Sequence, residues 1–271
     1  MNTSIGVVGA TGNVGSELIK ILLHKKNISI HAFVRDIEKV KRANLAPVEL
    51  RQFDFSVLDQ NVFNGIEKIF WLVPINKLPE KEWLEILKIS GVKHIVLLSS
   101  IFPDIFEMRK SEVLIQESGI PYTILRPNTF MQNFNTNEKN SIEKNNAFYY
   151  PADLGKTSFI DARDIAEAAA TALLEDHHIN KIYTLTGDES LNYYQVAEML
   201  SKACNRSIRY VDTWNHPEYE NHDFKDEPVW QAFFAGVRKG LFEEISKDLS
   251  LLIKRPAIKF KEYAGDYWRA S

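Results

Sequence analysis

The sequence predicts an α/β fold, a doubly wound parallel sheet with a smaller C-terminal α+β lobe. Three observations support this prediction. Strand-like and helix-like segments alternate regularly through the first half of the 271 residues. Continuous apolar runs such as residues 95–98 are typical of parallel strands that are covered on both faces. A glycine-rich turn joins the first strand to the first helix, where sheets of this kind bind ligands.

The glycine-rich turn follows the apolar strand at residues 5–8. Gly9 permits a tight turn, Gly12 lets the backbone approach a pyrophosphate, and Gly15 allows close packing of helix on strand. The helix that begins near Asn13 offers free N–H groups and a positive dipole end to a phosphate. This context predicts a dinucleotide site rather than a purely structural turn. Its predicted contacts are Gly9, Thr11, Gly12, Asn13, Val14 and Gly15.

The other elements of the first half follow from apolar runs and the polar residues that bound them. Strands are predicted at residues 29–34, 48–53, 68–73, 94–98 and 122–125. Helices are predicted at residues 78–89 and 108–118, with a short polar helix after Asp36.

The second half is less regular. Residues 135–146 are polar and rich in asparagine, so we interpret them as an excursion over the surface. Asp161 is expected to cap a helix that has a small apolar face. Further strands are predicted at residues 181–185 and 207–211, and helices at residues 193–203, 229–238 and 242–251, before an aromatic tail.

These elements predict two parts of the chain. The first is a dinucleotide-binding core over residues 1–134, with returns from about 157–187. The second is a C-terminal lobe over residues 135–271, expected over the carboxyl ends of the strands with a cleft between the two.

Composition excludes several classes of function. A net charge of −3 without a block of basic residues argues against direct binding of nucleic acid. The single cysteine, Cys204, fits a reducing compartment. Neither a signal peptide nor a run of eighteen apolar residues is present, so we expect a cytoplasmic protein without membrane partners.

Three motifs occur in a specific order: the glycine motif at residues 9–15, SGIPYTILRPNTFMQN at residues 118–133, and FIDARDIA at residues 159–166. Together they resemble the NmrA-like group of atypical short-chain dehydrogenases/reductases, over roughly residues 4 to 212. That group includes triphenylmethane reductases, NAD(P)H:quinone oxidoreductases, azoreductase-like proteins and redox-sensing regulators. The resemblance implies a Rossmann-type fold and an NAD(P) cofactor more firmly than it implies a substrate.

The choice of cofactor is read at the end of the second strand. An acidic residue there accepts from a ribose 2′-hydroxyl, whereas an arginine pairs with a 2′-phosphate. The sequence has Arg35 followed by Asp36. Relatives that use NADPH commonly carry arginine at the first position, so we expect NADP(H) to be favoured over NAD(H), with Asp36 as a helix cap or turn residue.

Residues at other strand ends complete the predicted cofactor site. Asp54 and Phe55 would flank the adenine or form an ordinary turn. The positions expected along the ribose and nicotinamide are Leu72, Val73, Pro74, Ser99, Pro127, Asn128, Thr129 and Phe130.

Ordinary short-chain dehydrogenases pair a tyrosine with a lysine four residues later, and none of the ten tyrosines has this spacing. Phe106 and Lys110 have the spacing, with an apolar ring where the acid would stand. Lys110 lies where isoflavone-reductase-like enzymes carry a lysine, so it is the candidate proton donor or cofactor ligand. The triphenylmethane and quinone reductase branch usually has a histidine at the position of Met108, four residues before Glu112.

The leading hypothesis is an NADPH-dependent reductase of quinones or similar planar acceptors, favoured by the complete glycine motif, Arg35 and the aromatic C-terminal half. Hydride transfer of this kind can proceed without a dedicated side-chain acid. The candidate apolar wall for the acceptor is Phe130, Met131, Phe134, Trp214, Trp230 and Phe233. Alternatives are a non-catalytic sensor of NADP(H) acting through a protein partner, and a sugar-nucleotide isomerase. His177 and His178 have no acidic or cysteine partner at ligand spacing, so no metal site is expected.

Overall fold

The computed structural model describes residues 2–42, 48–72, 81–102, 104–105, 108–214 and 228–269. Val73, Pro74 and Phe106 lie outside the described residues, as does most of the polar segment at 216–228. The chain forms two compact units, Met1–Arg126 with Ile165–Thr184 (unit 1) and Pro127–Asp164 with Leu185–Ser271 (unit 2).

The strands and helices are numbered in chain order. The strands are β1 Thr3–Val8, β2 Ile28–Val34, β3 Glu49–Gln52, β4 Lys68–Leu72, β5 His94–Leu98, β6 Tyr122–Pro127, β7 Ala147–Tyr150, β8 Lys156–Thr157, β9 Lys181–Leu185, β10 Leu191–Asn192 and β11 Arg209–Asp212. The helices are α1 Asn13–Leu23, α2 Ile37–Arg42, α3 Lys81–Ile89, α4 Arg109–Glu117, α5 Asn133–Thr136, α6 Lys139–Asn145, α7 Ala162–Leu174, α8 Tyr193–Cys204, α9 Pro228–Arg238, α10 Asp248–Ile253 and α11 Phe260–Tyr267. A 3-10 helix, Asp176–His178, precedes β9.

Unit 1 is built on a seven-stranded sheet in the order β3-β2-β1-β4-β5-β6-β9. Strand β1 pairs in parallel with both β2 and β4, so the order of the strands reverses beside β1. The glycine turn follows β1 and therefore lies at the switch point of the sheet, as predicted. The predicted doubly wound fold is confirmed.

Apolar strands and aromatic side chains make the core of unit 1. Every residue of β5 is buried, as expected for a parallel strand covered on both faces. Five large rings, Phe33, Phe53, Phe63, Trp71 and Trp83, lie in one core cluster. The ring centroids of Phe53 and Trp83 lie 5.1 Å apart in a T-shaped arrangement, which is one of the geometries that aromatic pairs prefer.

Unit 2 has its own aromatic core. It contains two small sheets, β7 parallel to β11 and β8 antiparallel to β10. The buried rings of its core include Phe134, Phe148, Phe159, Tyr193 and Phe260. Helix α8 begins with a reciprocal cap, in which Asn192 and Gln195 each bond the backbone N–H of the other.

Residues 135–146 lie mostly at the surface, as predicted, but they include the end of α5 and all of α6. Ile142 of α6 is fully buried, and the Tyr150 hydroxyl donates to the buried Glu138 carboxylate at 2.8 Å. One prediction about the second half is wrong. Residues 242–247 are not helical, since the Phe242 carbonyl accepts from the Ser158 N–H at 2.9 Å instead of from a helical neighbour. The aromatic tail forms α11, with Tyr263 fully buried.

Residues 127–134 and 157–164, which the sequence analysis gave to the dinucleotide-binding core, belong to unit 2. No helix in the described part of the chain has both the length and the apolar character that crossing a bilayer requires.

The packing of α1 on β1 gives a stability prediction. A Cβ added to Gly15 would lie 2.2 Å from the backbone oxygen of Gly9, so Gly15→Ala should lower the free energy of unfolding by about 1–3 kcal/mol. Gly265→Ala is the control, because a Cβ there meets no atom within 4 Å and alanine stabilises helix α11 by roughly 0.5–1 kcal/mol. Urea unfolding of both variants measures the difference. Equal stability of the two variants would contradict the packing described here.

Candidate dinucleotide site

The glycine turn presents open backbone donors at the start of α1. Gly9 has a φ of 74°, which is the left-handed conformation that glycine adopts without strain. The Gly12 N–H donates to the Gly9 carbonyl at 2.9 Å and closes the turn. Gly12 is the N-cap of α1 without a side-chain cap, and the first turn of the helix has no acidic residue. The first N–H groups of α1 therefore remain available to an anion.

The space around the glycines fits a pyrophosphate. A Cβ on Gly12 would meet only the Gly9 carbonyl oxygen, at 3.3 Å, and residues 11–13 are exposed. At Gly15 a Cβ would collide with backbone, and Val14 is buried beside it. Gly12 thus borders open space in which a ligand can approach the backbone, whereas Gly15 and Val14 fix the helix to the sheet.

The strand ends beside the turn carry the residues predicted for the adenosine half of the ligand. Arg35 and Asp36 are both exposed directly after β2, and the Asp36 carbonyl accepts from the Val40 N–H at 3.4 Å in the first turn of α2. The Leu72 side chain ends β4 beside Gly9, 2.8 Å from the position of an added Cβ. Arg35 therefore lies at the surface, beside the end of β2.

Asp54 and Phe55, in the turn after β3, both have partners within unit 1. The Asp54 carboxylate accepts from the Ser56 N–H at 2.8 Å and from the Ser56 hydroxyl at 2.6 Å, which makes an Asx turn. The Phe55 ring packs on Trp71 with centroids 5.5 Å apart, against the core cluster of unit 1. Both side chains therefore have partners within unit 1, and contact with adenine stays a prediction.

A buried ion pair lies beneath the ends of β5 and β6. Glu112 of α4 is 1% exposed, and Arg126 of β6 donates to both of its carboxylate oxygens, at 2.9 and 2.6 Å. The Ser99 hydroxyl, just after β5, donates to the same carboxylate at 2.6 Å. Two strands and one helix are thereby joined through one carboxylate.

The ion pair continues to the surface through α4. Arg109 donates to Glu112 at 3.0 Å and to Asp104 at 3.1 and 3.2 Å. The Arg109 guanidinium lowers the pKa of the exposed Asp104 carboxyl. Lys110 is the next residue of α4 and is exposed, so it lies outside this network of charges.

In unit 2, the segment after β6 is fixed by Asn128, which is 2% exposed. Its amide donates to the Ser158 hydroxyl at 2.7 Å and to the Phe242 carbonyl at 2.9 Å, while its oxygen accepts from the Thr129 N–H. Pro127 is buried, whereas Thr129 and Phe130 are half-buried. The amide of Asn128 therefore has a structural role in unit 2.

Two of the sequence motifs contact each other through side chains. The Gln132 amide donates to Asp161 at 3.0 Å, and its oxygen accepts from the Ala162 N–H at 2.9 Å. The Asp161 carboxylate also accepts from the Arg163 N–H at 2.8 Å, which confirms its predicted role as a helix cap. Asp164 is fully buried, and burial raises the pKa of its carboxyl despite the Arg255 guanidinium 2.7 Å away.

The residues predicted to form the acceptor wall differ in how far they are exposed within unit 2. Met131, Phe134 and Phe233 are between 1% and 5% exposed, so their side chains belong to the core. Trp230 is half-buried beside Phe233. Trp214 is 60% exposed and has the Arg238 guanidinium 3.8 Å from its ring centroid. A role for any of them toward an acceptor stays a prediction.

The sequence model of the NmrA-like family matches residues 1–216. The chain belongs to the NmrA-like family. It is 34% identical to an NAD(P)H azoreductase from Xenophilus azovorans over 219 residues, which cover 76% of this chain and 75% of the relative.

Two further relatives match the chain over nearly its whole length. Quinone oxidoreductase 2 of Escherichia coli is 27% identical over 95% of this chain and 96% of its own. The structure of a Citrobacter sp. triphenylmethane reductase superposes with a TM-score of 0.81 at 26% identity, over 98% of this chain and 99% of that one.

The ion pair of Glu112 with Arg126 was not predicted from the sequence. Glu112 served there only as a reference position for Met108, and Glu112 and Arg126 are fourteen residues apart on separate elements. An acidic residue at a mostly apolar helix position and an arginine at the end of a buried strand are the signals that could have found the pair.

Removing the charge of Glu112 should destabilise the protein. Glu112→Gln leaves the Arg126 guanidinium, which is 21% exposed, beside a neutral amide, so we expect a loss of about 3 kcal/mol in the free energy of unfolding. Glu117→Gln, an exposed change on the same helix, should stay within about 0.5 kcal/mol. Chemical denaturation compares the two, and a loss below about 1 kcal/mol for Glu112→Gln would contradict the cost expected of an uncompensated Arg126.

Proposed function

We propose that the protein is an NADPH-dependent oxidoreductase that transfers hydride to a quinone or a similar planar acceptor. The observation that carries the proposal is the open glycine turn at the switch point of the sheet, with the exposed Arg35 at the neighbouring strand end. The NAD(P)H azoreductase and the quinone oxidoreductase among the relatives support the same chemistry and acceptor class.

The cofactor supplies the hydride when it is bound, and the chain's own residues bind and orient it. The first N–H groups of α1 meet the pyrophosphate, and Arg35 meets the 2′-phosphate. Leu72, at the end of β4, would lie along the ribose, and the predicted contacts Val73 and Pro74 lie outside the described residues. These assignments rest on the order of the strands in the sheet.

No buried acid is required for the proton in this proposal. The Ser99 hydroxyl donates its hydrogen to the Glu112 carboxylate at 2.6 Å, and Arg109 and Arg126 donate to the same carboxylate at 3.0 and 2.6 Å. Ser99 therefore acts as a positioned hydroxyl rather than as an acid. Lys110 is exposed, so its role is to attract the cofactor phosphates, and water delivers the proton to the reduced acceptor.

The proposal is tested first at the glycine turn. Gly12 has φ −80° and ψ 173°, an extended conformation that any residue adopts, and an added Cβ meets only the Gly9 carbonyl oxygen at 3.3 Å, so Gly12→Val should fold with a small fall in melting temperature. The valine side chain would fill the space that the pyrophosphate needs, and NADPH should no longer raise the melting temperature. Thermal unfolding with and without NADPH measures this. An undiminished shift in Gly12→Val would remove the site from the glycine turn.

The preference for NADP(H) is tested at Arg35. A charge-assisted bidentate contact contributes roughly 1.5–3 kcal/mol, so Arg35→Ala should weaken NADPH about 10- to 100-fold and leave NADH nearly unchanged. Asp36→Ala serves as the control at the neighbouring exposed position and should not weaken NADPH. Isothermal titration measures both affinities, and equal affinities of the parent protein for NADPH and NADH would contradict the assignment.

Turnover is tested at Lys110, with quinone reduction followed at 340 nm. Solvent protonation predicts that Lys110→Ala changes the affinity for NADPH but keeps kcat within about tenfold at saturating cofactor, because no proton-transfer contribution of roughly 10²–10⁴ is lost. A thousandfold fall in kcat would identify Lys110 as the proton donor. NADPH binding without oxidation by any quinone or azo compound would favour the non-catalytic sensor instead.

A further inference from the structure

A cluster of one carboxylate and two imidazoles lies between α7 and β9 in unit 1. It consists of Glu175, His177 and His178, and one ligand atom from each lies within 4.8 Å of the other two. The sequence analysis found no acidic partner for these histidines at ligand spacing. The 3-10 helix Asp176–His178 removes that objection, because it turns both rings toward the Glu175 side chain.

The distances suit a metal ion better than direct hydrogen bonds. Oε2 of Glu175 lies 3.4 Å from Nε2 of His177 and 3.7 Å from Nε2 of His178. Both distances exceed those of good N–H···O hydrogen bonds, about 2.7–3.2 Å. Ligand atoms bound tetrahedrally at about 2.1 Å from one zinc ion lie about 3.4 Å from each other. The distances from Glu175 to His177 and to His178, 3.4 and 3.7 Å, are therefore close to the ligand-to-ligand distance in such a site.

The surroundings orient the inner histidine. The side chain of His178 is 8% exposed, and its Nδ1 lies 2.8 Å from the Tyr183 hydroxyl oxygen. A metal-binding histidine typically uses its second ring nitrogen in such a contact, which fixes the tautomer and the ring. The His178 backbone is fixed as well, since its carbonyl accepts from the Thr123 hydroxyl at 2.8 Å.

A neighbouring cation, Lys68, bonds to groups outside the three ligands. Lys68 donates to Asp176 at 2.9 Å and to the Leu173 carbonyl at 2.8 Å, so its charge is compensated beside the three ligands. The side chains of Glu175 and His177 are 38% and 69% exposed, which leaves a path for an ion from solvent.

We propose that Glu175, His177 and His178 bind one divalent transition-metal ion of the zinc class, with water at the fourth position. Two imidazoles and one carboxylate favour zinc, which binds nitrogen ligands, over magnesium and calcium, which bind oxygen ligands. The site joins the end of α7 to the start of β9. It lies near the start of β6, whereas the glycine turn lies at the carboxyl edge of the sheet, so the ion is structural rather than part of hydride transfer.

Zinc titration of the tag-free, chelator-treated full chain tests this proposal without any cofactor. Isothermal titration should show one saturable zinc site per chain, and zinc should raise the melting temperature. His177→Ala and Glu175→Gln should each weaken zinc at least about tenfold, the smallest loss seen even for outer-shell partners of metal ligands. Cobalt in place of zinc should give visible absorption that both variants lose.

Two control variants make the test specific. His24→Ala removes another exposed histidine, at the end of α1, and should leave zinc affinity unchanged. Gly12→Val should also bind zinc normally, since the proposed dinucleotide site and the metal cluster are separate. The proposal is overturned if zinc gives no saturable binding, if both ligand variants bind like the parent, or if His24→Ala weakens binding equally.

Discussion

The approach of α1 to the end of β1 is the constraint on which the candidate site depends. The backbone at Gly15 comes so close to the Gly9 carbonyl that no side chain fits between them. This contact sets the start of α1 directly beyond the switch point of the sheet. Because the helix cannot move outward without losing the contact, its first N–H groups are held in place before any ligand arrives.

The ion pair of Glu112 and Arg126 fixes the neighbouring part of the same edge. A charge that is 1% exposed costs several kcal/mol to desolvate, and it is tolerated here because Ser99, Arg109 and Arg126 donate four hydrogen bonds of 2.6–3.0 Å to Glu112. Such a pair contributes less to net stability than to geometry. It determines where Ser99 and the start of α4 lie at the ends of β5 and β6.

Local patterns in the sequence predicted the sheet and the glycine turn well. The alternation of apolar strands and helices, and the spacing of Gly9, Gly12 and Gly15, depend on neighbours in the chain, and periodicity reports such neighbours directly. The partners of Glu112 could not be predicted in this way. They come from elements that meet only in the folded protein.

The second half was harder for the same physical reason. Residues 139–145 look like a polar loop because only Ile142 is fully buried, and one apolar residue gives no period. Phe242, Ile245 and Leu249 have the spacing of one helix face, but the Phe242 carbonyl accepts hydrogen bonds from Ser158 and Asn128. Phe55 shows a further limit, since an aromatic residue just after a strand has the same pattern whether it packs in a core or faces a ligand.

The division of the chain into two units has a consequence for its synthesis. Unit 1 ends only at Thr184, and the chain leaves it at Arg126 and returns at Ile165, within helix α7. A ribosome that has made the first six strands therefore exposes β6 without its neighbour β9 until some sixty further residues have emerged. An unpaired apolar edge is a template for aggregation. The intervening segment must remain loosely folded or fold independently during that interval, so slow translation across residues 127–184 prolongs the period of greatest risk.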